Sequence, residues 1–304
     1  MEGGNDRAER PGTIAVLGPG GVGGLLAALL ARAGHRVICL AGERTVEALR
    51  QDGVRVRSAT FGEFTARVDA DTELREPVDA CLIAVKQTAL ASALERVPPA
   101  ALGDGLVVPL LNGIEHPAAL RRHYRPDLVA PGVIRVESTR VAPGVIEHGS
   151  PFADVELTGA TVERKRLDEL ADLLTAAGIR TQVRADEITA LWAKLALLAP
   201  LALLTTRYGL TVGGVRTERG AELRALLDET AAVGRACGAP VDPASVLRLY
   251  ETFPAATKSS MQRDAEAGRP LELDAIGGAL LRAAARHDVP VPVATSLVRD
   301  LADA

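Results

Sequence analysis

Cysteine is scarce in this chain: Cys39, Cys81 and Cys237 are the three among 304 residues, far apart and without a C-x-x-C pair. Two of them fall inside apolar strand candidates, so they are read as reduced, buried small hydrophobes of a cytoplasmic protein. Histidine is scarce too, and His35, His116, His123, His148 and His287 show no metal-ligand spacing, so no metal site is expected. Basic charge is not in excess, since 35 Lys and Arg face 39 Asp and Glu for a formal net charge of -4. That balance argues against nucleic acid as the main partner. The clusters Arg121, Arg122, Arg125 and Arg164, Lys165, Arg166 are expected on solvated helix faces beside acidic residues. The opening MEGGNDRAERPG lacks the apolar core of a signal peptide, and residues 1–12 are expected to form a flexible tail. A membrane span is not expected either. The one apolar run that resembles a span, residues 188–204, is slightly short and carries Lys194 and Pro200, so it reads as the buried helix of a helical domain.

What the chain does have is length and apolar content: 304 residues with 47% hydrophobic side chains are enough for two domains with separate cores. Residues 13–24, TIAVLGPGGVGG, place Gly18, Gly20 and Gly23 at G-x-G-x-x-G spacing between an apolar run and a helical one. In a strand-turn-helix unit Gly18 makes the tight turn, Gly20 admits a pyrophosphate to the backbone, and Gly23 lets the helix pack on the strand. Gly21 and Val22 complete the loop at the helix N-terminus, whose N–H groups favour phosphate. A second strand at residues 36–41, RVICLA, makes this a dinucleotide-binding unit.

Further along, residues 44–53 read as a helix, and VRVRSA with FTARVDA as a hairpin. DACLIAV (79–85) and LVVPLL (106–111) are buried-strand candidates that end on Lys86 and on Asn112-Gly113, delivering polar groups to the edge where such sheets bind ligands. Strand candidates at residues 128–159, a helix near 161–177 and a strand at 178–184 close the first domain, residues 13–184. From 185 to 304 the pattern is helical throughout, with Pro254 expected to open one helix and a final helix expected at 272–286. The expected architecture is α/β: a Rossmann-type dinucleotide-binding domain followed by an all-helical domain, with substrate in the cleft between.

Lys194 is an ammonium in an apolar helix, which is costly unless the side chain snorkels or faces a cleft. Glu272 and Asp274 stand where carboxylates favour a helix start, and Ser259 and Ser260 read as solvent-facing. At the end of the second strand Ala41 and Gly42 replace the acidic residue typical of NAD enzymes, with Glu43 and Arg44 just beyond.

GPGGVGG, AVKQT around Lys86, LNG at 111–113, LWAKL around Lys194, SSMQRD at 259–264 and GRPLELDAIGG at 268–278 occur in one order along the chain. With these pieces the sequence resembles the ketopantoate reductase (2-dehydropantoate 2-reductase) family over nearly its whole length. The resemblance implies an oxidoreductase that uses NADP and reduces a 2-oxo acid, as in the conversion of ketopantoate to pantoate in pantothenate biosynthesis. It implies Lys194 as general acid, Glu272 as contact for the substrate hydroxyl, and Ser260 for the substrate carboxylate. Lys86 and Asn112 would line the nicotinamide and substrate crevice, and Arg44 would meet the 2'-phosphate. The chain departs from the family at Leu198, Ala202, Thr257 and Gly277, where asparagines are usual. Leu198 and Ala202, four and eight residues past Lys194, are expected to give an apolar substrate wall. The alternatives are a paralogous oxidoreductase acting on a less polar 2-oxo acid and a nucleotide-binding sensor without catalysis. The expected state is a monomer or homodimer in the cytoplasm.

Overall fold

In a computed structural model that describes residues 11–303, the first apolar run becomes β1 (Thr13–Leu17) and leads through the glycine loop into α1 (Gly21–Arg32). β2 (Arg36–Leu40), α2 (Glu43–Asp52), the antiparallel pair β3 (Val54–Ser58) and β4 (Gly62–Ala66), and the short β5 (Asp69–Asp71) follow. Then come β6 (Ala80–Ile83), α3 (Leu90–Leu94), α4 (Pro99–Leu102) and β7 (Leu106–Pro109). Five of these strands form a parallel sheet in the order β5-β2-β1-β6-β7. The order reverses at β1, and ligands in such sheets bind beyond the carboxyl ends of the strands at that reversal. Here those ends are the glycine loop after β1 and the segment around Lys86 after β6.

The apolar runs are continuous because both faces of the sheet are covered. Ile14 and Val16 join one core cluster with α1, while Ala15 and Leu17 join another with Leu90, Leu94 and Leu120. Cys39 and Cys81 sit in opposite clusters, and burial pushes each thiol up to about 12, so both are inert packing groups. α1 is apolar around its whole circumference, residues 23–30 being buried, because it lies between the parallel sheet and a second one. α5 (His116–His123) precedes the remaining strands: β8 (Gly132–Arg135), β9 (Ser138–Ala142), β10 (Val145–His148) and β11 (Asp154–Leu157), then α6 (Arg164–Ala176) and β12 (Arg180–Val183). The second sheet has the order β4-β3-β10-β9, and a third the order β12-β11-β8.

The fold divides into two units. The first runs to Leu111 and from His116 to Glu187; the second comprises Asn112–Glu115 and Ile188–Ala304. Its described helices are α7 (Glu187–Tyr208), α8 (Val212–Glu218), α9 (Gly220–Ala236), α10 (Pro243–Thr252), α11 (Ser260–Glu266), α12 (Ala279–Arg286) and α13 (Pro292–Ala302), with a π-helical turn at Asp274–Gly278. α7 is long and apolar enough to cross a membrane, yet Trp192, Leu195, Ala199, Leu203 and Leu204 lie in the core of this unit. Those buried residues make it a core helix of this unit.

Several sequence expectations need correction. The tail expected at 1–12 lies outside the described residues up to residue 10, but Gly12 is buried and its N–H donates to His35 Nδ1 at 3.2 Å. FTARVDA divides into β4 and β5, the latter pairing with β2 rather than continuing the hairpin. Arg121 is not on a solvated face: it makes a two-pronged ion pair with Glu187, at 2.8 and 2.6 Å. Pro254 does not open a helix, because the carbonyls of Ala255 and Thr257 accept the N–H groups of Gly213 and Val212, which holds the segment in a turn. The helix starts at Ser260, where the Ser259 side chain caps it by accepting the Gln262 N–H.

Candidate active site

The nucleotide end of the site is built by the loop after β1. Gly18 has φ +85° and donates its N–H to Leu40 O at 3.1 Å, and a Cβ there would lie 2.5 Å from Val85 Cγ1. Gly20 is the N-cap of α1 with no side-chain cap, so the first N–H groups of this twelve-residue helix are left to an external acceptor. A Cβ on Gly20 would have its nearest neighbour 3.9 Å away, whereas one on Gly23 would lie 2.3 Å from Gly18 O. Space is open where a pyrophosphate would lie and closed where helix meets strand, which fits a dinucleotide. Gly21 is also closed: a Cβ would meet Ser138 O at 2.1 Å, and Ser138 Oγ donates to Gly21 O at 2.8 Å. β9 therefore braces the loop, a feature absent from the sequence reading because S-T-R-V-A is mostly exposed and lacks apolar alternation.

Arg44 is exposed in the first turn of α2, immediately past β2. Lys86 is half-buried and precedes a single 3-10 turn at Gln87–Ala89, its carbonyl accepting the Ala89 N–H. Both stand at carboxyl ends of strands in the parallel sheet.

The second unit joins two motifs far apart in sequence. Asn112 Nδ2 donates to Glu272 Oε2 at 2.9 Å across 160 residues, and the Glu272 side chain is buried. The Asn112 loop is pinned beside it by Arg282, which donates to Glu115 at 2.7 Å and to Asp274 at 2.6 Å. Gly113, at φ +87°, passes so close that a Cβ would lie 2.4 Å from Ala275 O. The helix expected at 272–286 is present, but two residues past Glu272 it opens with the π-helical turn Asp274–Gly278 before continuing as α12; such turns occur frequently at functional sites.

Lys194 is half-buried on α7, two residues after the buried Trp192. Leu198, one turn on, is half-buried as well, but Ala202 is fully buried in the core and offers no surface. The apolar wall expected from both residues thus reduces to Leu198, because eight residues advance a helix by more than two turns and rotate the side chain inward. The paired serines also separate: Ser259 is buried and Ser260 exposed. Thr257 is half-buried in the turn before them. Gly277 is a packing glycine, since a Cβ would lie 2.5 Å from Val298 Cγ2.

A doubly buried parallel sheet with an uncapped glycine-loop helix, in a chain whose helical unit pairs the half-buried Asn112 carboxamide with the buried Glu272 carboxylate, defines the class of dinucleotide-dependent enzymes. The chain matches the family described as Ketopantoate reductase PanE/ApbA over residues 14–157 and its C-terminal part, Ketopantoate reductase PanE/ApbA C terminal, over 186–303. It belongs to the ketopantoate reductase family and is an oxidoreductase of it. The 2-dehydropantoate 2-reductase of Caulobacter vibrioides is 31% identical over 94% of this chain and 97% of its own. The crystal structure of 2-dehydropantoate 2-reductase from Geobacter metallireducens GS-15 is 28% identical, with a TM-score of 0.89 over 96% of this chain and 99% of that one. The ternary structure of D-mandelate dehydrogenase with NADH and anilino(oxo)acetate is 20% identical over 96% of this chain and 97% of its own; at a TM-score of 0.88 it shares the fold.

Proposed function

We propose that the protein is an NADPH-dependent reductase of 2-oxo acids that yields 2-hydroxy acids, in the manner of 2-dehydropantoate 2-reductase. The observation that carries this reading is the Asn112–Glu272 pair, a buried carboxylate oriented by a carboxamide in the same unit as the Lys194 helix. When bound, the reduced nicotinamide supplies hydride to the keto carbon. Lys194 Nζ gives a proton or hydrogen bond to the oxygen as negative charge develops there, combining general acid and electrostatic catalysis. Glu272 accepts from the substrate hydroxyl as it forms, while Asn112 fixes the carboxylate rotamer. Ser260 holds the substrate carboxylate from the exposed start of α11, and Lys86 and Arg44 serve the cofactor.

Leu198 favours a substrate with a less polar tail. An asparagine at that position would bond a polar substrate group, and losing such a bond costs about 1 to 3 kcal/mol, whereas apolar cover contributes about 0.8 kcal/mol per CH₂. Alkyl 2-oxo acids should accordingly surpass ketopantoate in kcat/KM. A spectrophotometric panel of both substrate types with NADPH and NADH tests the proposal. Turnover of alkyl 2-oxo acids supports it, preference for ketopantoate removes the role of Leu198, and no turnover of any 2-oxo acid leaves a nucleotide-binding sensor.

A further inference from the structure

The two serines of S-S-M have opposite environments, and the buried one does more than cap a helix. Ser259 Oγ lies 2.7 Å from Thr205 Oγ1, and Thr205 in turn donates to Leu201 O at 2.7 Å. Thr205 has a single proton, already directed to Leu201, so Ser259 is the donor of the bond between them. Ser259 Oγ also accepts the Gln262 N–H at 3.0 Å, which completes a chain of fixed polarity from α11 to α7. Thr205 is fully buried and Ser259 nearly so, conditions under which such a chain is least exchangeable with water. Lys194, Leu198, Leu201 and Thr205 recur at i, i+4, i+7 and i+11, so this bond lands on the face of α7 that carries Lys194. Met261 also anchors α11 in the core, but an apolar contact is non-directional and does not set the rotation of the helix start.

We propose that Thr205 and Ser259 are positioning residues that fix the Ser260 hydroxyl relative to the lysine-bearing face of α7, and so set affinity for the substrate carboxylate. This rests on the reading of Ser260 as a carboxylate contact. Sequence spacing hides the device, since the partners lie 54 residues apart.

The experiment compares steady-state constants for 2-oxo-4-methylpentanoate and ketopantoate in the wild type, Thr205→Val, Ser260→Ala and the double variant. Thr205→Val should raise KM about tenfold, with kcat and NADPH affinity held within about twofold, as expected when a substrate bond is misplaced but the chemical step is not. The double variant should be no worse than Ser260→Ala alone, because the two act through one contact. Thr205→Ser, which keeps the hydroxyl, should restore KM and guards against a Val variant that fails to fold. Thr230→Val is the structural control, for Thr230 is equally buried and bonds Leu226 O at 2.7 Å on α9. A wild-type KM in Thr205→Val, additive losses in the double variant, or an equal KM rise in Thr230→Val would each overturn the inference while leaving the reductase intact. A wild type inactive on both acids would instead overturn the underlying reading, and the inference with it.

Discussion

Lys194 and Gly277 mark the two ways a single residue enters this site. Lys194 is half-buried in an otherwise apolar stretch and is proposed to act directly on the developing alkoxide. Lys194→Ala should keep the fold and NADPH binding while lowering kcat by about a hundredfold to ten-thousandfold, the range for loss of a general acid. Single-turnover oxidation of NADPH measures this, and an unchanged rate returns the lysine to a snorkelling role. Gly277 acts only through its missing side chain. The family's usual asparagine cannot be restored there by itself, since its Cβ would fall 2.5 Å from Val298 Cγ2 and 3.3 Å from Leu203 Cδ2. Gly277→Asn should therefore destabilise the protein by about 1 to 3 kcal/mol, the usual cost of overpacking, and chemical denaturation reads it out. A variant as stable as the wild type would show that the π-helical turn yields without cost.

Helix α7 carries its catalytic candidate six residues before a proline. Pro200 removes one backbone donor from the helix, and in the turn before it Leu197 O accepts the buried Tyr250 hydroxyl from α10 at 2.7 Å. Tyr250→Phe should cost about 1 to 3 kcal/mol by leaving that carbonyl underbonded, and it should broaden any fluorescence signal of Trp192 by loosening the neighbouring turn. Equal stability in urea unfolding would count against this link. Elements like α7 and β1–α1–β2 are legible in the sequence because they bury continuous apolar surface and end at or near glycines. β9 is not, since an edge strand with four of five residues exposed carries no periodicity. The start of α11 misleads for a local reason: proline is a common first helical residue, but here backbone bonds to α8 hold the proline segment in a turn and Ser259 provides the cap. Residue types alone do not reveal the Asn112–Glu272 pair, which depends on tertiary folding across 160 positions; only the family resemblance points to both partners.

At the scale of the whole molecule, the sharpest expectation concerns which dinucleotide stabilises it. A ligand that binds only the folded protein adds about 2.7 kcal/mol at a hundred times its Kd. For a unit of about 150–250 residues each kcal/mol moves the melting temperature by about 2 to 4 °C, so this is readily measured. β2 ends at Leu40 and is followed by Ala41 and Gly42, with no carboxylate in the place where NAD enzymes hold the ribose 2'-hydroxyl, and Arg44 stands exposed in the next turn. A guanidinium suits a 2'-phosphate through paired, charge-assisted hydrogen bonds. If this yields a tenfold preference for NADPH, saturating NADPH should stabilise the protein by about 1.4 kcal/mol more than saturating NADH at equal concentration, or roughly 3 to 6 °C. Arg44→Ala should erase that excess and leave the NADH shift unchanged, because only NADPH carries the phosphate. Glu43 precedes Arg44 and is the competing influence: as a carboxylate it repels a 2'-phosphate and would accept from a 2'-hydroxyl. Equal shifts for the two cofactors, or a larger one for NADH, would therefore assign the end of β2 to Glu43 and withdraw Arg44 from the cofactor site.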